Sequence, residues 1–533
     1  MSSRIRVRFA PSPTGLLHIG GLRTALYNYL FAKKEGGTFV LRIEDTDQKR
    51  YVKDAEDDIL QSLTWAGIVP DEGPGNPGEY GPYRQSERKE RYLKYAEQLV
   101  DAGYAYYAFD TPEEIEHMKE HLRTPENPTP KYEIQSRMTM RNSLTLSDEE
   151  ISRLLSEKKE YVIRLKIPDG ERIHFEDAVR GPVSFESEML DDQVLIKADG
   201  MPTYHLANVV DDHEMKISHV IRGEEWLSSA PKHILLYTYF GWDAPEMAHL
   251  PLIMSPSGGK LSKRKAEKEG IPINTKDYRE QFYEPEALVN FLALLGWSPG
   301  DDRELLSMKE MVESFSLDRI GKSGAIFDHA KLLWFNEHYI RAKSDAELAK
   351  ELQAYVKEVG IPHKQDDNDG LGDGSAEPDA GEGNISWPSL TEEQKKIFTD
   401  TKYMETVVRL LKERVSRLPD FLDSGSFFFE APAEYDAKAV KKGWKEATPS
   451  LLQAYTSQLD IVEEEEFKAP LLKTRLKEVI EKENVGMGKL MMPVRIAVTG
   501  LGSGPDLFES MELLGKEEVL RRIHTAIEKL SGS

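Results

Sequence analysis

Two short segments of this 533-residue chain combine residue types that bind phosphate. Residues 18–21 read HIGG and stand between an alternating segment and a run with helical spacing. A helix N-terminus offers free N–H groups to an anion, glycines let a ligand approach the backbone, and a histidine donates to phosphate oxygens. The tetrapeptide also fits a tight turn beside a surface histidine, because so short a pattern recurs by chance.

The second segment, residues 260–264, reads KLSKR and follows a glycine-rich stretch. Lysine ammonium groups on a mobile loop can clamp a triphosphate and stabilise charge at its α-phosphorus. Alone, this segment is also typical of a solvated basic turn. The order of the two segments is more specific, since one opens the first half of a split strand–helix domain and the other follows its second half.

The elements that must position these segments alternate between strand and helix. Residues 4–10 and 38–43 have strand patterns, and residues 20–34 and 52–66 recur at helical spacing. Strand, helix, strand and helix with short joints are typical of the opening of a doubly wound α/β domain.

The later part of the chain has a different pattern. Residues 101–196 carry clustered aromatics, a proline-rich stretch and short strand patterns, which indicate an insertion into the α/β domain. Beyond about residue 330 the pattern is helical. It is clearest at residues 346–359, 401–418 and 517–530.

An acidic, glycine-rich insert interrupts this helical region at residues 364–385. Its part between 366 and 383 contains seven acidic residues, five glycines and no basic residue. Such a segment buries too little apolar surface to fold, which predicts a disordered surface insert.

Composition limits the class of protein. The absence of cysteine excludes disulfides, thiol catalysis and cysteine-ligated zinc, and it fits a cytoplasmic protein. The net charge of −23 argues against a general affinity for nucleic acid, although a local basic track is compatible with it. We expect no membrane association and no signal peptide, since no stretch approaches the ~20 apolar residues of a membrane span.

Together, the two motifs resemble the HIGH and KMSKS signatures of the class I aminoacyl-tRNA synthetases. Gly21, where the general signature has a second histidine, is similar to the glutamyl branch. The resemblance covers most of residues 1–340 and is weaker beyond. The further segments that resemble bacterial-type glutamyl-tRNA synthetases are 6–15 (RVRFAPSPTG), 41–47 (LRIEDTD), 202–213 (PTYHLANVVDDH) and 220–227 (VIRGEEWL).

The resemblance implies a multidomain chain, in which a Rossmann-like α/β catalytic domain with an α+β insertion precedes an all-α anticodon-binding region. The implied bounds are 1–100 for the first catalytic half, 101–196 for the acceptor-end-binding insertion, 197–258 for the second half, 259–335 for the KMSKS-type loop and stem-contact region, and 336–533 for the helical region.

The resemblance also implies a glutamate pocket, and the residue types agree with it. A guanidinium meets a carboxylate with two parallel bonds, so Arg8 and Arg222 suit the side chain of glutamate, whereas Glu44 suits its ammonium. Tyr204 and Asn208 lie four apart and would share one helix face. The ordinary alternatives are a strand-edge charge for Arg8, a helix-start acid for Glu44 and a core aromatic for Tyr204.

The full set of implied contacts is larger. The implied catalytic residues are His18 and Lys263. The glutamate contacts also include Ala10 and Ser12. The implied ATP contacts are Ser12, His18, Gly20, Gly21, Glu225, Trp226, Ile253, Lys260, Ser262 and Lys263.

The expected substrates and partners are ATP with its Mg²⁺, L-glutamate and tRNA-Glu, and the chain is expected to be a monomer. Some relatives hold a zinc with cysteines near the matching residues 106–111, which have no cysteine here, so no zinc is expected. His117, His121 and His174 are too scattered to replace the cysteines as ligands.

In the helical region, cations beside the phenylalanines at 427–429 suit phosphate contact and base stacking, although plain helical domains also combine them. These cations are Lys412, Arg414 and Arg417.

Other functions remain as alternatives. One alternative is a glutamyl-queuosine tRNA enzyme, but that class lacks an anticodon domain, whereas this chain has a long helical region. Another is a glutaminyl-tRNA synthetase, but Arg222 is similar to the glutamyl rather than the glutaminyl branch. A non-catalytic tRNA-binding paralogue need not keep His18, Lys260 and Lys263. Whether tRNA-Gln is also charged stays open.

Overall fold

The structure is a computed structural model that describes residues 5–362 and 384–530. These residues form two compact units. The first comprises the described residues up to Glu280 together with Pro285–Leu332, and the second comprises Gln281–Glu284 and the described residues from Leu333 on. No helix in the described part of the chain is both long and apolar enough to cross a bilayer.

The first unit is built on a six-stranded sheet with the order β2-β1-β8-β9-β5-β6. In chain order, the strands of this unit are β1 (Arg6–Phe9), β2 (Thr38–Leu41), β3 (Ala105–Ala108), β4 (Val162–Leu165), β5 (Arg172–Asp177), β6 (Gly181–Glu186), β7 (Val194–Ile196), β8 (His219–Gly223), β9 (Glu246–Leu250), β10 (Ile253–Met254) and β11 (Ala325–Ile326). The first five strands of the sheet order run parallel, and β6 returns antiparallel to β5. Every residue of β1 and β2 is buried, as parallel strands covered on both faces require.

Helices connect these strands. They are α1 (Ile19–Lys34), α2 (Ala55–Trp65), α3 (Lys89–Asp101), α4 (Pro112–Leu122), α5 (Ile134–Arg137), α6 (Asp148–Ser156), α7 (Tyr204–Glu214), α8 (Ala230–Phe240), α9 (Lys263–Lys268), α10 (Thr275–Glu280), α11 (Pro285–Leu294) and α12 (Met308–Ser314). The predicted strand–helix alternation is confirmed. The helix predicted from residue 52 begins three residues later, because the Val52 N–H bonds the Pro13 carbonyl at 3.0 Å and Asp54 adopts a left-handed φ of 70°.

The region predicted as an insertion, 101–196, contributes to two sheets. Strands β3, β4 and β7 form a separate antiparallel sheet. Strands β5 and β6, by contrast, extend the central sheet beyond β9. The domain bounds stay predictions, but residues 172–186 are continuous with the sheet that they were expected to interrupt.

The second unit is helical, which confirms the predicted all-α C-terminal region. The helices from residue 329 on are α13 (His329–Ala342), α14 (Asp345–Glu358), α15 (Glu392–Thr399), α16 (Thr401–Leu411), α17 (Asp420–Ser424), α18 (Ser426–Phe429), α19 (Ala437–Gly443), α20 (Thr448–Asp460), α21 (Ala469–Lys482), α22 (Gly488–Thr499), α23 (Leu507–Leu514) and α24 (Lys516–Leu530). One apolar core lies among α14, α16 and α18, and another among α20, α21, α22 and α24.

Two predictions for the second unit need correction. The helix predicted over residues 401–418 ends at Leu411, because the backbone N–H groups of Ser416 and Arg417 turn to the Asp420 carboxylate at 3.1 and 2.8 Å. Most of the predicted acidic insert, residues 364–383, lies outside the described residues. Its last two residues form a strand, β13 (Asn384–Ile385), which pairs with β12 (Ile361–Pro362).

A buried ionic cluster around α7 ties the first unit together. Asp211, which is fully buried, accepts hydrogen bonds from Arg88 Nε at 2.6 Å, Tyr92 Oη at 2.8 Å and Gln85 Nε2 at 2.9 Å. Arg88 is itself only 1% exposed. Arg88 Nη2 also pairs with Glu214 at 2.5 Å, so removing the Asp211 carboxylate would leave Arg88 with Glu214 alone and its buried Nε without an acceptor.

We expect Asp211→Ala to destabilise the fold by about 3–5 kcal/mol, because a buried ion pair is broken and the donors of Arg88, Tyr92 and Gln85 lose their acceptor. A urea titration followed by circular dichroism measures the change. The matched control is Glu150→Gln, which removes the acid of an exposed Arg153 pair and should leave the urea midpoint in place. An unchanged midpoint for Asp211→Ala would contradict the argument.

Candidate active site

The carboxyl ends of the central parallel strands bring ionisable side chains together. Arg8 lies in β1, Arg222 in β8 and His249 in β9, while Glu44 follows β2. Arg222 and His249 are register partners in neighbouring strands, so their side chains leave the sheet on the same face. This edge is where doubly wound sheets bind ligands.

Arg8 belongs to a chain of buried charges. Its guanidinium pairs with Asp212 through two bonds, Nε to Oδ1 at 2.9 Å and Nη2 to Oδ2 at 3.2 Å. Asp212 Oδ1 also accepts from Arg42 Nη1 at 2.7 Å, and Arg42 Nη2 donates to Glu44 Oε1 at 3.0 Å. Asn208 Nδ2 donates to the same Glu44 oxygen at 3.0 Å. Glu44 is thus held at the strand edge by one charged and one neutral donor.

The two acids of this chain titrate differently. Burial raises the pKa of Glu44 above its usual range, and the nearby Arg42 and Arg8 only partly oppose it. Burial acts in the same direction on Asp212, but Arg8 and Arg42 outweigh it and lower the Asp212 pKa below its usual range. Asp212 is therefore the firm counter-ion of the two arginines, and Glu44 is the carboxylate that responds to pH.

Arg222 is surrounded by uncharged acceptors instead. Its Nε donates to His249 Nε2 at 3.0 Å, and its Nη1 lies 2.8 Å from Tyr204 Oη and 3.3 Å from His233 Nδ1. Its Nη2 is buried and has no hydrogen-bond partner among the described residues. Burial, followed by the charge of Arg222, lowers the pKa of His233 well below its ordinary value, and burial lowers that of His205 behind it to about 3.

Helix α7 supplies both neutral side chains expected in the pocket. Tyr204 and Asn208 lie one turn apart on it, and the first contacts Arg222 while the second contacts Glu44. The Tyr204 ring also packs on Trp226, with centroids 4.5 Å apart. One helix face therefore faces both charged groups, although the role of each residue toward a ligand stays a prediction.

His18 caps the first turn of α1. Its Nδ1 accepts from the Gly21 backbone N–H at 3.0 Å, so the ring proton resides on Nε2, which can donate outward. Gly21 has a packing reason as well, since a Cβ there would lie 2.8 Å from Leu17 Cδ1. Gly20 lies beside the imidazole, which a Cβ would approach to 3.1 Å. Both glycines thus leave space at the start of α1 for the neighbouring side chains of Leu17 and His18.

The segment between β1 and α1 runs beside Glu44. The Glu44 backbone N–H donates to the Pro11 carbonyl at 2.9 Å, which holds the backbone of Ala10 and Ser12 at the same edge. Ser12 itself is exposed, and its carbonyl accepts from the Thr14 N–H at 2.8 Å.

The second signature follows a short hairpin. Leu261 N–H donates to the carbonyl of Ile253, an implied ATP contact, at 2.9 Å. Helix α9 then begins at Lys263, after Ser262, and both side chains are exposed. Lys260 Nζ lies 3.9 Å from Glu225 Oε1.

Backbone hydrogen bonds join the first signature to the segment that follows the second one. Ile19 N–H donates to the Ile273 carbonyl at 2.9 Å, and Thr275 N–H donates to the Leu17 carbonyl at 2.8 Å. His18 and Asn274 thus form an antiparallel bridge. The segment after α9 is bound to the entry of α1, so the order seen in the sequence becomes proximity in space.

Glu225 and Trp226 lie in the short 3-10 helix Glu224–Ser229 that follows β8. The Glu225 carboxylate folds back over Gly223, where a Cβ would come within 2.2 Å of it. Trp226 is 42% exposed. Both side chains are open to a ligand at the same edge, as a nucleotide contact requires.

Sequence reasoning missed several buried partners. The pattern PTYHLANVVDDH contains Asp212, which follows Asn208 by one helical turn. This spacing places Asp212 on the same helix face as Tyr204 and Asn208, so it could have predicted that Asp212 faces the pocket. His233, His249 and Asp177 carried no such signal, because their partners are distant in sequence. The Tyr237 hydroxyl is buried among the same charges and has no hydrogen-bond partner in the described part of the chain.

The structure also bears on the predicted metal and RNA contacts. Within residues 5–362 and 384–530, no group of three or more acidic or histidine side chains could hold a metal ion.

The predicted tRNA-contact cations differ in their surroundings. Lys412 Nζ donates to the Lys343 carbonyl and lies 3.2 Å from Asp345 Oδ1, whereas Arg414 is exposed.

Of the two interpretations of the aromatic run, the plain helical core is the one that the structure supports. Phe427, Phe428 and Phe429 are 2%, 1% and 6% exposed and fill an apolar core. Arg417 packs over the Tyr283 ring, 6.0 Å from its centroid, and pairs with Asp420. Lys412, Arg414 and Arg417 do not share one helix, since α16 ends before them.

Comparisons with known proteins agree with this geometry. The family described as tRNA synthetases class I (E and Q), catalytic domain, matches residues 4–334, and an anticodon binding domain matches residues 389–527. Glutamate–tRNA ligases of Christiangramia forsetii and Flavobacterium johnsoniae are 47% and 48% identical, and each alignment covers 99% of this chain and 100% of the relative.

A solved structure gives the same result. The crystal structure of a glutamate tRNA ligase from Elizabethkingia meningosepticum, in complex with its amino acid, is 44% identical and superposes with a TM-score of 0.87. It covers 99% of this chain and 100% of that one. The strand-edge charges, the two joined signatures and these full-length matches lead to one conclusion: the chain belongs to the class I tRNA synthetases of the E and Q group.

Proposed function

We propose that this chain is a glutamate–tRNA ligase, which activates L-glutamate with ATP and transfers it to the 2′-hydroxyl of the terminal adenosine of tRNA-Glu. The observation that carries the proposal is Arg222, whose buried Nη2 has no acceptor among the described residues. A carboxylate is the acceptor that a guanidinium prefers. The full-length likeness to glutamate–tRNA ligases supports the same substrate.

The glutamate pocket in this proposal uses both charge clusters. Arg222 binds the side-chain carboxylate together with Tyr204, and Arg8, whose charge is balanced by Asp212, lies at the same strand edge. Glu44, beside Asn208, pairs with the substrate ammonium. Glutamine would place an amide against Arg222 and leave its charge poorly paired, and sites built on such polar pairing reject analogues by roughly 10⁴ or more.

Activation follows from the joined signatures. The α-carboxylate of glutamate attacks the α-phosphorus of ATP in line, the bond from that phosphorus to pyrophosphate breaks, and glutamyl adenylate forms as pyrophosphate leaves. The 2′-hydroxyl of the terminal tRNA adenosine then attacks the carbonyl carbon of this mixed anhydride, and AMP leaves. His18 donates from Nε2 and Lys263 contributes its ammonium to the charge that builds on the phosphates, while positioning supplies much of the remaining acceleration. ATP contacts from Ser12, Glu225, Trp226, Ile253, Lys260 and Ser262 complete the proposed site, and Mg²⁺ enters with ATP as part of the substrate.

The proposal extends to the parts that contact RNA. The insertion at 101–196 contacts the acceptor end, 259–335 the stem, and the helical region 336–533 the anticodon. The chain works as a monomer in the cytoplasm. Arg414, exposed on the second unit, remains a candidate phosphate contact.

Pyrophosphate exchange tests the proposal directly. Exchange is measured with glutamate and with glutamine, each with and without tRNA-Glu and tRNA-Gln. We expect exchange with glutamate when tRNA-Glu is present. No exchange with either amino acid under any condition would favour a non-catalytic paralogue, and activity with tRNA-Gln would make the enzyme non-discriminating.

Lys263→Ala should lower the kcat of glutamate-dependent exchange by about 10²–10³, as the loss of one transition-state electrostatic contact does. The KM for glutamate should stay near the wild-type value, because Lys263 lies outside the glutamate pocket. Lys268→Ala, at the other end of α9, is the matched control and should exchange normally. Near-normal exchange by Lys263→Ala would exclude the assigned role.

The KM for glutamate should rise as the pH falls from about 7 toward about 5, because burial raises the pKa of Glu44 and protonation removes the partner of the substrate ammonium. Asp212 stays ionised over this range, since its pKa is lowered, and His233 stays neutral. Steady-state exchange at several pH values measures the effect. Glu44→Gln should show a high KM that no longer depends on pH, and parallel pH profiles for the two proteins would refute the role of Glu44.

A further inference from the structure

Arg222 is anchored in an unusual way for a buried arginine. Its partners His249, His233 and Tyr204 are all uncharged acceptors. No carboxylate of the described residues forms an ion pair with it within 4.0 Å. Arg222 is nevertheless only 5% exposed, so water does little to balance its charge.

Arg8 shows the contrast. Asp212 binds it through two parallel bonds and thereby balances its charge inside the protein. A carboxylate at the corresponding place on Arg222 would compete with an incoming carboxylate for the same guanidinium. An imidazole holds the guanidinium in place without that competition.

The tautomer of His249 is fixed from behind. Because Arg222 Nε can only donate, His249 Nε2 must accept, and the ring proton lies on Nδ1. His249 Nδ1 donates to Asp177 Oδ2 at 2.5 Å. Asp177 Oδ1 is fixed in turn by the backbone N–H groups of Arg180 at 2.9 Å and Val179 at 3.0 Å. Asp177 and His249 are 3% and 0% exposed.

We infer that His249 and Asp177 are positioning residues that set the preference for a carboxylate over an amide at Arg222. His249 orients the guanidinium through a neutral bond, so the positive charge of Arg222 remains for the ligand. Asp177 keeps the proton on the far side of the imidazole. The inference rests on the proposed function, because it concerns the choice between glutamate and glutamine.

Three substitutions at His249 separate orientation from charge. His249→Gln keeps a neutral acceptor of similar reach, His249→Glu places a carboxylate there, and His249→Leu removes the acceptor. The matched control is His174→Ala, which changes an exposed histidine on the same strand as Asp177. The readouts are the KM values for glutamate and ATP in exchange with tRNA-Glu, and the ratio of kcat/KM for glutamate over glutamine.

His249→Leu should raise the KM for glutamate by about 10- to 100-fold, the range expected when a hydrogen bond to a charged group is lost. His249→Glu should raise it by about as much, because the new carboxylate competes with the substrate for the Arg222 guanidinium. The KM for ATP should not move, and the ratio for glutamate over glutamine should fall. His249→Gln should remain within a few-fold of wild type, and His174→Ala should match it. Thermal unfolding identifies a variant that does not fold, and the other then carries the comparison with His249→Gln.

Equal glutamate KM values for the Gln, Glu and Leu variants would overturn the inference, and so would a parallel rise in the KM for ATP. These outcomes require a wild-type protein that exchanges with glutamate. A wild-type protein with no glutamate-dependent exchange would instead overturn the proposed function.

Discussion

Two adjacent acids on helix α7 organise the first unit. Successive helical residues point about 100° apart, so Asp211 and Asp212 face different neighbours. Asp211 faces Arg88, and Asp212 faces Arg8 and Arg42. Each acid is buried against guanidinium groups from elements far away in the chain, and removing one would strand charge in the interior. The position of α7 relative to the central sheet depends on these pairs.

Because α7 is fixed, the side chains at its start are fixed as well. Tyr204 hydrogen-bonds to Arg222, and Asn208 hydrogen-bonds to Glu44. Side chains that are held by such bonds lose less conformational freedom when a ligand binds. The same acids that stabilise the fold therefore also prepare the proposed glutamate site.

The fold and the two signatures were predictable because their signals are local. Strand alternation, helical spacing and the glycines after His18 are each readable within about 15 residues. The partners of the pocket were not predictable in this way, since Arg8 and Asp212 are separated by 204 residues and Arg42 and Asp212 by 170. The phenylalanines at 427–429 could not be assigned from the sequence either, because aromatic residues beside cations are typical both of a base-stacking surface and of a helical core. Burial depends on tertiary packing, which no short pattern contains.

The bridge between His18 and Asn274 has a mechanical consequence. The chain from β10 to residue 273 is pinned at both ends, on one side by pairing with β11 and on the other by the entry of α1. Lys260 and Lys263 therefore lie in a loop that is closed at both ends, and part of the entropy of ordering that loop is lost when the protein folds. If the two lysines bind a triphosphate as proposed, they do so from a segment that backbone hydrogen bonds connect to the first turn of α1.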